Sequence, residues 1–133
     1  MKNTGYCCIL LVLVTLVTIG SQVSAHHSFA MFDDTKRVDL EGTIRQFQWV
    51  NPHAWVELDV INADGEAEKW VLQMLSPNVL RRMGWKRNLL KPGDEVSVVI
   101  HPHRAGAKVG NMISISDEAG RQIGGPLKSD VSL

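Results

Sequence analysis

The chain has 133 residues, with 14 Lys or Arg against 14 Asp or Glu, so its formal net charge at neutral pH is zero. This length suits one small domain rather than several. Its two cysteines, Cys7 and Cys8, lie at the amino end, which excludes a disulfide scaffold or a thiolate metal site in the rest of the chain.

The amino end is typical of a cleavable signal peptide. Lys2 supplies the positive start, residues 6–20 form an apolar run, and Val23 and Ala25 stand where signal peptidase requires small residues. The apolar run is shorter than the roughly 20 residues of a membrane span. We therefore predict export to the periplasm or the extracellular space, cleavage after Ala25, and no stable membrane insertion afterwards.

Removal of residues 1–25 leaves 108 residues that begin at His26. Such a chain suits one domain with a modest core. Because both cysteines leave with the signal peptide, the core alone, or the core with a ligand or a partner, must stabilise the fold.

Three strands are predicted first. Residues 38–50 form a strand in which Gly42 marks a bulge or a tight bend. Residues 54–62 alternate apolar and polar side chains, as a half-buried strand does. The sequence Asn-Ala-Asp-Gly at residues 62–65 is typical of a hairpin turn, and a third strand follows over residues 68–74.

A short helix follows the third strand. Ser76 can cap the free amides of its first turn, Pro77 is tolerated in that turn, and Gly84 is expected to end it. The remaining predicted elements are a strand over residues 96–100, a loop over residues 101–111, a strand over residues 112–116 and a loosely ordered tail over residues 119–133.

The order β-β-β-α-β-β predicts a mainly β fold. It matches a small five-stranded Greek-key barrel of the OB type over residues 26–118, with one short helix. An antiparallel sheet covered by a helix is the alternative. Five short strands need closure to protect their edges, which favours the barrel.

Charge is spread unevenly along the chain. Residues 33–68 carry nine acids and three bases, whereas residues 69–108 carry eight bases and two acids. One interpretation is that the two halves neutralise each other across one fold. The other is that the second half forms a basic face for an anionic ligand.

The histidines are the most informative polar residues. All five follow the predicted cleavage site: His26, His27, His53, His101 and His103. In an OB-type barrel, the loop between strands one and two and the loop between strands four and five border the same binding face. His53 falls in the first of these loops, and His101 and His103 fall at the second. We therefore predict that they converge on one histidine-bearing loop face.

A mature amino end at His26 would add two nitrogen ligands. Its α-amine titrates at about pH 8, so a metal can displace the proton, and the amine and imidazole can close a chelate ring. A third nitrogen from His53, His101 or His103 would complete an all-nitrogen site suited to Cu(II), a histidine brace. Copper or another divalent metal is therefore the candidate cofactor. Alternatively, the amino end is loose and the other histidines are turn residues or solvated.

A second set of candidate ligand-binding residues lies near the same loops: Trp49, Asn51, Trp55, Arg104 and Lys108. Trp49 and Trp55 alternate opposite to the core pattern, so they can line a groove for a flat or sugar-like ligand. The equally open alternative is a small second core under the first loop. Trp70 is predicted to be a core residue by strand parity.

Enzyme and nucleic-acid functions find little support. No serine stands in a nucleophile-elbow pattern, and no pair of carboxylates stands out, so no catalytic residue is predicted. A copper-dependent oxidative enzyme remains a hypothesis only if the histidine brace forms. Export and the acidic first half argue against nucleic acid as a partner.

Several strings together resemble a family of small exported bacterial proteins of unknown function. They are HHSFAMFD at residues 26–33, GTI at 42–44, NPHAW at 51–55, SP at 76–77, GW at 84–85, PGD at 92–94 and HP at 101–102. The resemblance covers the chain from His26 to about Asp117. It implies export and one compact domain, and it implies no activity or ligand.

The sequence therefore favours an exported small binding module that uses the histidine-bearing loop face, with copper or another divalent metal as candidate ligand. The alternative is an accessory protein without a metal, which binds an envelope protein or a small ligand through Trp49, Trp55 and the basic loops.

Overall fold

A computed structural model of the chain describes residues 27–127. The predicted signal peptide, its cleavage site, His26 and residues 128–133 lie outside the described residues. One unit of the chain ends at Ala30, and its described part is a single helical turn, α1 (His27–Ala30).

The unit that begins at Met31 contains five strands and one helix. Their bounds are β1 (Val38–Gln48), β2 (Trp55–Ile61), β3 (Ala67–Gln73), α2 (Pro77–Arg82), β4 (Glu95–Pro102) and β5 (Val109–Asp117). The predicted order of these elements is confirmed.

The strands form a closed barrel in the order β1-β2-β3-β5-β4. All neighbours are antiparallel except β3 and β5, which pair in parallel over three residues, Val71 to Gln73 against Val109 to Asn111. The predicted mainly β, five-stranded barrel is therefore confirmed, and the alternative of an antiparallel sheet covered by a helix is not.

The core follows the alternation of apolar side chains along the strands. Val56 and Leu58 of β2 are completely buried, as is Leu72 of β3, the register partner of Val56. From the far side of the barrel, Val98 and Ile100 of β4 enter the same cluster. Trp70 pairs with Leu58 in register and packs against this cluster, as its strand parity predicted.

The helix and the segment after β5 extend the core. The Ser76 hydroxyl accepts a hydrogen bond from the Val79 amide, which caps α2 as predicted. Trp85, beyond the helix, is 1% exposed, and its Nε1–H donates to the Gly125 carbonyl at 3.1 Å. Whereas the sequence predicted a loose tail from residue 119, Leu127 is 4% exposed and belongs to the core.

Two local features differ from expectation. The register shift in β1 lies between Ile44 and Gln46, not at Gly42. A Cβ at Gly42 would lie 2.4 Å from the Asp59 carbonyl oxygen, so this glycine allows β1 and β2 to approach closely. The last strand also begins at Val109, three residues earlier than predicted, because its first residues pair with β3.

We predict that Gly42→Ala destabilises the fold by about 1–3 kcal/mol, because the added methyl group would meet backbone that cannot move away. Urea unfolding followed by tryptophan fluorescence would measure the change. Glu41→Ala, at an exposed neighbour in β1, is the control and should change stability by less than about 0.5 kcal/mol. Equal effects of the two substitutions would contradict the steric explanation.

Candidate functional site

Four side chains form one row across the outer surface of the barrel. His101 pairs in register with Asn111, Asn111 with Gln73, and Gln73 with Trp55. Residues paired in register point to the same face of a sheet, and their strand neighbours Ile100, Met112, Leu72 and Val56 are buried in the core. We call His101, Asn111, Gln73 and Trp55 the outer row.

Gln73 is the unusual member of the outer row. It is 2% exposed, although it faces away from the hydrophobic core. Among residues 27–127, its Nε2 is the buried side-chain polar atom without a hydrogen-bond partner. A buried donor in this state costs about 1–3 kcal/mol of stability. The contacts within the fold therefore leave the hydrogen-bond donor of this amide unused.

His53 lies beside the Trp55 end of the outer row, in the loop between β1 and β2 (loop 1). Its Nδ1 is 3.2 Å from the Met74 carbonyl oxygen. A carbonyl oxygen only accepts, so Nδ1 carries the proton, and the lone pair of the neutral ring is on Nε2. A backbone carbonyl on Nδ1 is the usual partner of a histidine that binds a metal through Nε2.

His101 lies at the other end of the outer row and is 7% exposed. Its Nδ1–H donates to the Lys36 carbonyl at 2.7 Å. Lys36 belongs to a segment that precedes β1 and that we call the strap, residues 31–36. The same hydrogen-bond argument places the lone pair of His101 on Nε2, although the ring is mostly buried.

The strap pairs with the end of β4. The Asp33 amide donates to the Pro102 carbonyl at 2.8 Å, and the Arg104 amide donates to the Met31 carbonyl at 2.9 Å. Phe32 is 3% exposed and meets the His103 ring edge-on, with 6.3 Å between ring centroids. The start of the unit is therefore fixed against the loop between β4 and β5 (loop 2).

His103 differs from His53 and His101 in which ring nitrogen carries the proton. Its Nδ1 accepts a hydrogen bond from the Ala105 amide at 3.1 Å, so the neutral ring carries its proton on Nε2. Neither nitrogen then offers a lone pair to a metal without breaking this contact. Among the three, His103 is the least suited to be a ligand.

The loops border one face, but their histidines are not adjacent. His101 and Trp55 are separated by three strand spacings, about 14 Å along the curved sheet. Within residues 27–127, no group of three or more His, Cys, Asp or Glu side chains is placed to hold a metal ion. The brace also needs His26, which lies outside the described residues, so the copper site stays a prediction.

The predicted aromatic groove divides into two parts. Trp49 packs against the main core cluster and meets Phe47 edge-on at 5.6 Å, so its ring is engaged with the core. Trp55 is half-buried on the outer face. Asn51 is exposed and precedes Pro52 through a cis peptide bond. Only Trp55 and Asn51 thus remain candidates for ligand contact at loop 1.

The basic residues of loop 2 are engaged with acids from the first half of the chain. Arg104 contacts Asp33 and Asp34 at 3.7 and 3.3 Å, and the Lys108 ammonium contacts Glu68 at 2.7 Å. Lys108 also lies over the Trp70 ring at 5.2 Å. These contacts fit the interpretation that the two halves neutralise each other, although exposed ion pairs contribute little stability.

Two carboxyl groups near loop 2 have shifted acidities. Lys108, and then the Asn62 amide, hold the pKa of Glu68 below its ordinary value. For Asp33, the hydrogen bond from the Thr35 hydroxyl is the main cause that lowers its pKa. Both groups therefore favour the charged form in the folded chain.

Sequence reasoning missed Gln73 and Asn111 as candidate site residues. Strand parity alone identifies Gln73 as outward-facing, since it lies between the inward-facing Leu72 and Met74. Its burial and its neighbours depend on the parallel pairing of β3 with β5, and no local sequence pattern encodes that pairing.

Comparison with known proteins gives one match. A family model described as a family of unknown function (DUF6152) matches residues 13–112. No curated protein and no solved structure matches.

Within residues 27–127, no helix is long and apolar enough to cross a membrane.

We predict that Glu68→Gln lowers stability at neutral pH and flattens its acid dependence. A lowered folded-state pKa stabilises the fold above the ordinary value of 4.5, and this contribution is lost as the pH falls through the folded-state pKa. Urea unfolding at about pH 7 and about pH 3 would measure the change. Glu66→Gln, at an exposed residue of the same hairpin, is the control. An unchanged acid dependence in Glu68→Gln would contradict the assignment.

Proposed function

Because this chain belongs to DUF6152, a family of unknown function, we propose a role from its own geometry: it is an exported small binding module that uses the histidine-bearing loop face. We define this face as loop 1 (residues 49–54), loop 2 (residues 103–108) and the outer row between them. The observation that carries the proposal is the outer row itself, because it joins both loops and contains a buried amide without a partner.

Cu(II) is the first ligand we assign to this face. The amino group and imidazole of His26 would supply two nitrogens once the signal peptide is removed. His53 is the best third ligand, because its hydrogen bond to the Met74 carbonyl puts the lone pair on Nε2 and orients the ring. His103 is the least suited, since its Nδ1 accepts from the Ala105 amide.

The proposed export has its own test. Mass spectrometry of the protein from the exported fraction of its host should find a chain that begins at His26. A chain that retains residues 1–25, or a first residue other than His26, would contradict the predicted cleavage and would remove the chelating amine.

We predict that the mature chain beginning at His26 binds Cu(II), and that one extra residue before His26 lowers the affinity roughly 10-fold or more, because the α-amine is then blocked. His53→Ala should weaken binding in the same sense by removing the third nitrogen. Calorimetric titration with Cu(II) and the electron paramagnetic resonance spectrum of the complex would measure both effects.

His103→Ala is the matched control on loop 2, and its Cu(II) affinity should stay near that of the unaltered chain. If the two forms of the amino end bind equally weakly, the brace is wrong. If His103→Ala lowers the affinity and His53→Ala does not, the assignment of the third ligand is wrong.

The alternative function, binding of an envelope protein or a small ligand without a metal, has support of its own from Trp55 and the outer row. The basic residues proposed for it, Arg104 and Lys108, are engaged with acids. Its contacts would therefore come from neutral side chains at the Trp55 end of the row.

A further inference from the structure

The basic residues of the domain differ in whether an acid neutralises them. A carboxylate oxygen lies within 3.3 Å of six of them: Lys36, Arg45, Lys69, Arg104, Lys108 and Arg121. Four other bases are exposed, and within residues 27–127 none of these four forms an ion pair: Arg81, Arg82, Lys86 and Arg87. The chain has no acid between Glu68 and Asp94, so this segment keeps its positive charge.

The turn that ends α2 brings these four bases together. Gly84 has a φ of 85°, and the Trp85 amide behind it donates to the Leu80 carbonyl at 3.0 Å. Leu80 and Trp85 are both buried, whereas the two bases that follow each of them are exposed. The turn therefore places residues 81–82 and residues 86–87 on one exposed surface, which we call the basic face.

Lys91 is not included in the basic face. Its side chain is exposed, but its amide donates to the Asp94 carboxylate at 2.8 Å, which places a negative charge beside it.

An exposed apolar side chain lies next to the basic face. The Phe47 ring meets the Trp85 ring at 6.5 Å and the Trp49 ring at 5.6 Å, both edge-on. Val50 follows Trp49 and is 48% exposed. Loop 1 is also hydrogen-bonded to the segment that precedes α2, at 3.1 Å. The end of loop 1 that carries Val50 is therefore on the same side of the barrel as the basic face.

We propose that the basic face and Val50 bind the surface of a bilayer that contains anionic phospholipid. Exposed Lys and Arg side chains are attracted to such a surface, and a neighbouring apolar side chain can enter the headgroup region. The protein then lies on the bilayer without spanning it. This inference goes beyond the proposed ligand binding and does not depend on the copper site.

A bilayer fits this surface better than nucleic acid does. Proteins that bind single-stranded nucleic acid combine a basic groove with aromatic side chains that stack on the bases. The exposed apolar neighbour of the basic face is aliphatic, and Trp85 below the face is 1% exposed. Valine can enter a headgroup layer, but it offers no ring for stacking.

Co-sedimentation with lipid vesicles tests the proposal directly. The chain that begins at His26 should bind vesicles of phosphatidylglycerol and phosphatidylcholine in equal parts, and should bind phosphatidylcholine vesicles at least roughly 10-fold more weakly. Added salt should weaken the binding, because it screens the exposed charges. No binding, or equal binding to both kinds of vesicle, would overturn the proposal.

The double variant Lys86→Gln with Arg87→Gln tests the basic face. Both residues are exposed and lie beyond α2, so the fold should be kept. The partition onto the anionic vesicles should fall roughly 10-fold or more, because each base near such a surface contributes about a factor of five. An unchanged partition would exclude the basic face as the contact surface.

Arg45→Gln with Lys69→Gln is the matched control. It makes the same change in net charge at two bases that are paired with Asp59 and Glu57 at 3.0 and 2.8 Å. Its partition should change by less than about 2-fold, since these charges are already neutralised. If both double variants lose binding equally, only net charge matters and the assigned face is wrong.

Val50→Ser tests the apolar contact, and Ile61→Ser is its control. Ile61 is more exposed, at 64%, but it ends β2 at the opposite end from loop 1. Val50→Ser should lower the partition roughly 3-fold, because less apolar surface leaves water on binding, whereas Ile61→Ser should leave it unchanged. No loss in Val50→Ser, or an equal loss in both variants, would overturn the proposed contact surface.

Two further measurements separate the bilayer from other partners. A short DNA fragment should bind more weakly than the anionic vesicles at the same salt concentration, and binding of equal strength would overturn the assignment of a bilayer. In sedimentation equilibrium without lipid, the chain should be a monomer. Self-association that Lys86→Gln with Arg87→Gln abolishes would mean that the basic face binds a second copy, and the proposal would be wrong.

Cu(II) titration of the same samples separates this inference from the proposed metal site. The Lys86→Gln and Arg87→Gln double variant should bind Cu(II) as the unaltered chain does. If vesicle binding fails while Cu(II) binding depends on His26 and His53, the bilayer contact is wrong and the metal site stands. If the vesicles bind and Cu(II) does not, the reverse holds.

Discussion

The parallel pairing of β3 with β5 is the constraint on which the rest of the structure depends. It involves only three residue pairs, from Val71↔Val109 to Gln73↔Asn111, yet it closes the barrel. Without this ladder the sheet would have two open edges, β3 and β5, and open edges promote pairing with other chains. The same three pairs place Gln73 beside Asn111. The pairing that closes the barrel therefore also brings these two residues of the candidate site together.

Much of the fold could be predicted from local patterns. The alternation at Val56 and Leu58, the Asp-Gly turn at residues 64–65 and the Ser76 cap each act through neighbours in sequence, and each element formed where predicted. The prediction at Gly42 is partly right, because the sequence identified a position that requires glycine, although the register shift lies between Ile44 and Gln46. The reason for the glycine, close approach of the Asp59 backbone, is a tertiary contact that no single strand reveals.

The candidate site was less predictable, because proton positions and partners decide its chemistry. His53 and His103 both follow a proline in a loop. One ring donates through Nδ1 to a carbonyl and the other accepts through Nδ1 from an amide, which gives them opposite coordinating ability. The sequence placed both in the loops, but it could not supply the Met74 carbonyl or the Ala105 amide that separates their roles.

The strap has a consequence for the order in which the chain folds. Synthesis runs from the amino end, so Met31 to Asp33 leave the ribosome early, whereas their partners in residues 102–104 follow about 70 residues later. Such a long loop must close before the strap gains any contact. The strap can therefore form these contacts only with residues from the far end of the domain, and the burial of Phe32 depends on closure of this long loop.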